Sequence, residues 1–287
     1  MSDKPFRMIM SSQCWATDEI ITKNVRKAQK YPRVNYVTAE NALLLPPCAV
    51  CGGGPSLPLS LDILREWKGD VYGINDTSGY LSDNGIENYI YAIDPQWQVL
   101  RTGPLTKGAL YATRVHRRQF HFPKENIRVF DMLEDAPGGI EGGCTAVCRT
   151  PLLLLRIGYT GIYYFGCEGS FYDLTHITGT QKVALKNLII VRAGGVDYIT
   201  NAGLLMQSEY LSGVISKYPQ FLHNMSGGLL KAMLDFPDDW EVVAVSEDLK
   251  PHIKTKSGRD VFPNPYQFGD FPIWQQPKTS STQPLEK

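Results

Sequence analysis

Long apolar runs are missing from this chain. No stretch approaches the ~20 consecutive apolar residues that a membrane-spanning helix needs, so no membrane span is expected. The first ten residues, MSDKPFRMIM, lack the apolar core of a secretory leader, which points to a cytoplasmic location. There is no excess of either charge: 29 Lys and Arg balance 29 Asp and Glu, so the total carries no electrostatic signature of a nucleic-acid or membrane-surface partner. Cysteine is sparse, with six residues in 287, and the spacing gives little support to a metal site. Cys48 and Cys51 lie three apart on a predicted strand and would leave opposite faces, whereas Cys144 and Cys148 would share a helix face. Small buried thiols in a reducing compartment fit better than a zinc site built from these four, and no resident metal is expected. There is no internal repeat.

What the chain does have is glycine placed after apolar runs. Residues 42–50 are apolar and pinned by Pro46 and Pro47; CGGGPSL follows, and residues 60–67 carry Leu61, Leu64 and Trp67 at helical spacing. This reads as strand, glycine loop, helix. Glycine admits a backbone that brings N–H groups close to an anion, and the following helix would aim its positive end at the same place. A branched side chain at Gly54 is then expected to block that approach while leaving the fold largely intact.

Two further strands are predicted, at 70–75 and 89–93, ending in Asn75 and Asp76 and in Asp94. A short helix over 80–85 separates them. In open α/β sheets ligands bind beyond the carboxyl ends of the strands, so these polar ends support one another. Residues 109–122 hold the one concentrated basic patch, with Arg114, His116, Arg117, Arg118 and His121; an exposed strand with a basic edge is the preferred reading over a phosphate-receiving patch. A second glycine-rich stretch, PGGIEGGC, leads into an apolar helix over 145–157 that contains Pro151, and then a strand over 161–165 ending at Glu168. His176 is the histidine that directly follows a predicted functional strand end. The N-terminal segment 17–30 reads as a polar helix with a thin apolar stripe at Ile20, Ile21 and Val25; strands are predicted at 185–190 and 196–200 and a helix over 203–217.

The four blocks CGGGPSL, GINDTSGYLSDNGIENYIYAIDP, GGCTAVCRTPLLLLRIGYTGIYYFGCEGSFYDLTH and YLSGVISKYPQFLHNMSGGLLKAM resemble, in order, the domain shared by archaeal 6-hydroxymethylpterin diphosphokinases and bacterial motility-associated flagellin glycosyltransferases. A fainter similarity to bacterial CMP-sialic acid sialyltransferases lies in the Gly-Pro-Ser-Leu loop and the glycine-rich helix start. The resemblance, over residues 41–233, implies an α/β, Rossmann-like, mostly parallel sheet with helices on both faces. It places Gly52, Gly53, Gly54 and Ser56 on the nucleotide-phosphate loop, and Asn75 and Asp76 on a polar pair facing the nucleotide. Asp94 falls on an Asp-Pro, and Gly143, Cys144 and Thr145 on a helix start. His176 falls on a histidine beyond the fourth strand. The family usually shows Gly-x-Asp where this chain has Glu168, and a hydroxyl residue where it has Cys144.

The expected organisation is a helical cap over 1–40, a transferase domain over 41–235 and a C-terminal extension over 236–287, an extended arm with a disordered tail that could serve a homo-oligomer. The expected activity is glycosyl transfer from a small nucleotide-sugar donor of the CMP-sugar type to an acceptor the sequence does not name. In it His176 would be the base, with Glu168 and Asp94 as further candidate catalytic carboxylates. Diphosphate transfer from ATP, with Mg²⁺ held by strand-end carboxylates, and a catalytically silent nucleotide-binding protein are the alternatives.

Overall fold

Each element forms where local chemistry stops one run and starts another. The structure, a computed structural model, describes residues 16–38, 44–133, 136–143, 145–171 and 188–245. Helix α1 (Asp18–Ala28) starts at Thr17, whose hydroxyl accepts the Ile20 N–H, with Asp18 and Glu19 in its first turn and Arg26 and Lys27 in its last. Those charges suit the helix dipole. Its docking face corrects the predicted stripe: Ile20 is exposed, and Asn24 and Ala28 are buried. The Asn24 carboxamide donates to Arg114 O at 3.0 Å and accepts the Arg117 N–H at 3.1 Å, so polar pins fix this helix where apolar contacts were expected.

Strand β1 (Cys48–Cys51) is followed by a 3₁₀ turn (Leu57–Ser60) and the short α2 (Leu61–Arg65). Then come β2 (Val71–Ile74), α3 (Thr77–Asp83), β3 (Asn88–Ala92), β4 (Thr106–Ala112), β5 (Ile127–Phe130), α4 (Ala146–Ile157) and β6 (Ile162–Phe165). The chain continues through β7 (Leu188–Ala193), β8 (Val196–Asn201), α5 (Ala202–Lys217), β9 (Leu222–Asn224), α6 (Gly228–Asp235) and β10 (Trp240–Val245). Seven strands form one parallel sheet in the order β5-β4-β3-β2-β1-β6-β9, and β10-β7-β8 form a small antiparallel sheet. No helix of the described residues is long and apolar enough to cross a membrane.

Strand β1 lies at the centre, all four residues buried. Cys48 and Val50 face the cluster shared with α1, α4 and α5, while Ala49 and Cys51 face the one shared with α2 and α3. Helices therefore cover both faces, which is why parallel strands read as continuous apolar runs. Cys48, Cys51, Cys148 and Cys167 are buried, and Cys48 and Cys51 leave opposite faces of β1 as their spacing predicts. Cys14 and Cys144 lie outside the described residues.

Two further expectations needed correction. The strand predicted over 109–122 ends at Ala112, because β4 runs in the sheet interior between β3 and β5 and is no edge. The basic residues fall past it, in a loop and the 3₁₀ turn Arg117–Gln119. The helix predicted over 60–67 is only the five-residue α2 after its 3₁₀ turn. Pro151, in contrast, sits inside α4 without ending it. Its missing N–H would leave the Val147 carbonyl open, and the Thr150 hydroxyl donates to that carbonyl at 2.7 Å.

Candidate functional site

The chain steps outward from β1 through β2, β3, β4 and β5, then crosses back to lay β6 on the other side of β1. This is a topological switch point, where the turns after two neighbouring strands diverge and leave a crevice beyond their carboxyl ends. A cleft of about 250 Å³ occupies it, lined by the turns after β1, β2 and β6, the start of α4 and one face of α5. Of the residues predicted for the site, Gly52, Gly53, Gly54, Asn75, Asp76, Thr145 and Glu168 line this cleft. Ser56, Gly143 and Asp94 do not. Cys144 and His176 lie outside the described residues.

The glycine loop is built differently from the expected anion cradle. Gly52 N–H donates to Phe165 O at 2.8 Å, Gly54 N–H to Gly166 O at 2.9 Å, and Ser56 N–H to Glu168 Oε1 at 2.6 Å. Three loop amides are thus bound to the turn after β6, and among the described residues the Gly53 N–H alone of residues 52–54 has no acceptor. Glycine at 54 is required by this packing, since a Cβ there would overlap the Glu168 carboxyl and lie 2.7 Å from Gly166 O. The expectation that Gly54→Val spares the fold is corrected accordingly. The five-residue α2 is also too short to supply the helix dipole that the sequence suggested.

Glu168 is buried, 1% exposed, and its Oε2 has no hydrogen-bond partner among the described residues. Burial pushes its carboxyl above the ordinary range, opposed by the Ser56 hydroxyl, its own N–H and the Ser56 N–H. The Ser56 Oγ stands beside the carboxyl without reaching hydrogen-bond geometry. Asn75 takes φ +52°, left-handed for a non-glycine residue, and its Oδ1 is likewise buried with no partner among the described residues. Such strain persists only where surroundings enforce it, and it collects at binding sites. Here the Asn75 N–H is tied to Tyr91 O at 3.0 Å.

The start of α4 contributes what the glycine loop does not. Thr145 is the N-cap residue, yet its side chain makes no cap hydrogen bond. Its hydroxyl instead donates to Gln207 Oε1 at 2.8 Å. The N–H groups of Ala146 and Val147, both lining the cleft, keep no acceptor among the described residues. Gln207 comes from α5, which approaches the β6 turn because Gly169 has no side chain: a Cβ there would overlap Ser208 Oγ. The sequence reading missed Gln207. The signal was available, since Gln207 and Ser208 interrupt the buried stripe of α5 that Leu205, Leu211 and Ile215 continue.

This fold has a solved counterpart. No protein-family model matches the chain, and no curated protein matches it. The structure of the MAf glycosyltransferase from Magnetospirillum magneticum AMB-1 is similar to it, with 16% identity and a TM-score of 0.55. The likeness covers 74% of this chain and 37% of that one, so this chain corresponds to well under half of that protein's length. At that identity the likeness bears on the fold.

The remaining predicted residues have structural partners. Gly143 packs on Cys148, with an added Cβ only 3.0 Å from the Cys148 Cβ. Asp94 follows β3, two strands from β1 and so about 10 Å away along the sheet. Its Oδ1 accepts the Gln96 N–H at 2.7 Å, and burial raises its carboxyl against the pull of that N–H and of Arg114. A larger cavity of about 720 Å³ opens among residues at the amino ends of β2, β3, β4 and β5. Several of its polar groups already serve neighbours or the backbone: Tyr72 and Asp70 join the Tyr159 hydroxyl, Lys107 pairs with Glu87, and Arg128 donates to Glu125 O. None of the buried polar atoms left without partners lies in it, which leaves the smaller switch-point cleft as the functional candidate.

Proposed function

We propose that this protein is a transferase that takes its group from a nucleotide donor, and specifically a glycosyltransferase using a nucleoside-monophosphate sugar of the CMP-sugar type. The observation that carries the reading is the switch-point cleft, where Asn75 Oδ1 and Glu168 Oε2, with no partner among the described residues, stand beside an α4 start without a side-chain cap. Among the described residues no Lys or Arg lines it. Neutral amides suit a single phosphate, whereas a diphosphate leaving group would call for a cation. The fold likeness to a MAf glycosyltransferase supports sugar as the transferred group. His176 remains the candidate base for deprotonating an acceptor hydroxyl, with Glu168 as the candidate carboxylate that lines the cleft.

One observation favours a second reading. Asp76 and Glu168 put two carboxyl groups in the cleft, the kind of oxygen ligand Mg²⁺ takes in ATP-dependent diphosphate transfer. Among the described residues no three His, Cys, Asp or Glu side chains gather to hold a metal. Thermal unfolding across CMP, CDP, UDP, GDP, ATP and CMP-sugars, with Mg²⁺ and with EDTA, separates the two, because a ligand bound only by the native state raises the melting temperature. The first reading expects a rise with CMP or a CMP-sugar that survives EDTA; a rise confined to ATP with Mg²⁺ would replace it with the second.

A further inference from the structure

Gln207 has no role in the reading above, and the fold goes to some length to place it. It is only 5% exposed, on a helix that reaches the cleft only because Gly169 lacks a Cβ. A buried carboxamide normally satisfies both ends. Here only the oxygen is satisfied, by the Thr145 hydroxyl at 2.8 Å, and Nε2 has no partner among the described residues. That same hydroxyl, drawn to Gln207, leaves α4 without its side-chain cap. Three donors, Gln207 Nε2 and the Ala146 and Val147 N–H groups, therefore border one region of the cleft with no acceptor among the described residues.

We propose that Gln207 is a specificity-determining residue whose carboxamide, oriented by Thr145, donates its Nε2–H to an anionic oxygen of the donor bound at the start of α4. The inference rests on the nucleotide-donor reading of this cleft and names the chemistry that one side chain reads: a phosphoryl or carboxylate oxygen, an acceptor with no proton of its own. At Nε2 the carboxamide offers protons alone, so a ligand hydroxyl placed there could meet it only as an acceptor. The carboxamide thus selects by sign, welcoming acceptors at that position and rejecting donors.

Gln207→Glu is the decisive variant because it preserves size and the oxygen that receives the Thr145 proton while turning the donor into an anionic acceptor. Calorimetric titration of the full chain with CMP and with CMP-N-acetylneuraminate should show the wild type binding and Gln207→Glu weakened by about 100-fold or more. The Gln207→Leu variant, which loses the donor and adds no charge, should weaken by about tenfold. Equal losses for both probes place the oxygen on the phosphate, and a loss confined to CMP-N-acetylneuraminate places it on the sugar carboxylate. A purely structural Gln207 predicts otherwise: Gln207→Glu would bind both probes within about twofold of wild type, and that result overturns the inference alone. If Gln207→Glu does not fold, as judged by circular dichroism, Gln207→Leu decides by the same twofold criterion. A wild-type chain that binds neither probe overturns the CMP-sugar reading of the donor, and the inference falls with it.

Discussion

The glycine turn after β1 and the one before α4 read alike in sequence, CGGGPSL and GGCTAV, each a glycine cluster leading to small residues and a helix. In the structure they have opposite roles. The first gives three of its amides to the turn after β6 and leads into a five-residue helix. The second leads into a twelve-residue helix whose first turn lacks a side-chain cap and borders the cleft. Glycine in the first turn serves close packing of two strand ends; the open donors belong to the second. A glycine-rich motif thus reports that backbones come close together, and what they come close to must be read from where the N–H groups go.

Breaking the first turn should have the largest effect. Gly54→Val places side-chain atoms where Glu168 and Gly166 O now lie, and unfolding in urea should show a loss of about 4 kcal/mol or more. A variant of near wild-type stability would return the loop to the role of an open anion cradle. The second turn offers the converse test. Ala146 is the first residue of α4, and Thr145 before it is already extended at φ −112° and ψ 164°, so proline fits the backbone at 146 and removes only an N–H. Ala146→Pro should leave the unfolding midpoint nearly unchanged while lowering CMP affinity by about tenfold, measured by calorimetry. Unchanged affinity would show that the α4 start does not face the ligand.

The smallest effect sharpens the account of Glu168, which joins the two regions. A carboxyl whose folded pKa is raised binds more protons folded than unfolded, so its contribution to stability is full below its ordinary range and fades as pH rises through the raised folded value. The Glu168→Gln variant keeps an oxygen for the Ser56 N–H and cannot ionise. The melting temperature of Glu168→Gln relative to wild type should therefore increase as pH is raised from about 4.5, the carboxyl's unperturbed region. A difference that is flat with pH would show that the wild-type carboxyl is no harder to ionise folded than unfolded.

Much of the central sheet was legible. The runs at β1, β2, β3 and β6 are apolar because both faces are covered, and each closes on glycine or small polar residues where the chain turns. The switch point was not legible, because order along the sheet depends on which strands pair and not on any one run. Short strands such as β5 and β9, four and three residues long, carry too little periodicity to declare themselves. In the site, Asn75, Asp76, Thr145 and Glu168 were found as polar strand ends or a helix start. Gln207 was missed because it sits mid-helix, and its meaning depends on a contact with Thr145 across 62 residues of chain. Asp94 looked equivalent to Asp76 in sequence; the strand order alone sets them apart.

The bond from Ser56 N–H to Glu168 Oε1 spans 112 residues. A chain leaving the ribosome at about 5–20 residues per second therefore carries the β1 turn for roughly 6–20 seconds before its partner exists. During that interval the amides of Gly52, Gly54 and Ser56 are left to water, and β1 has a neighbour on one side only. The joining of β6 to β1 is thus a late, long-range event of the kind that slows folding, and the two strand-end turns that flank the cleft meet only in that step.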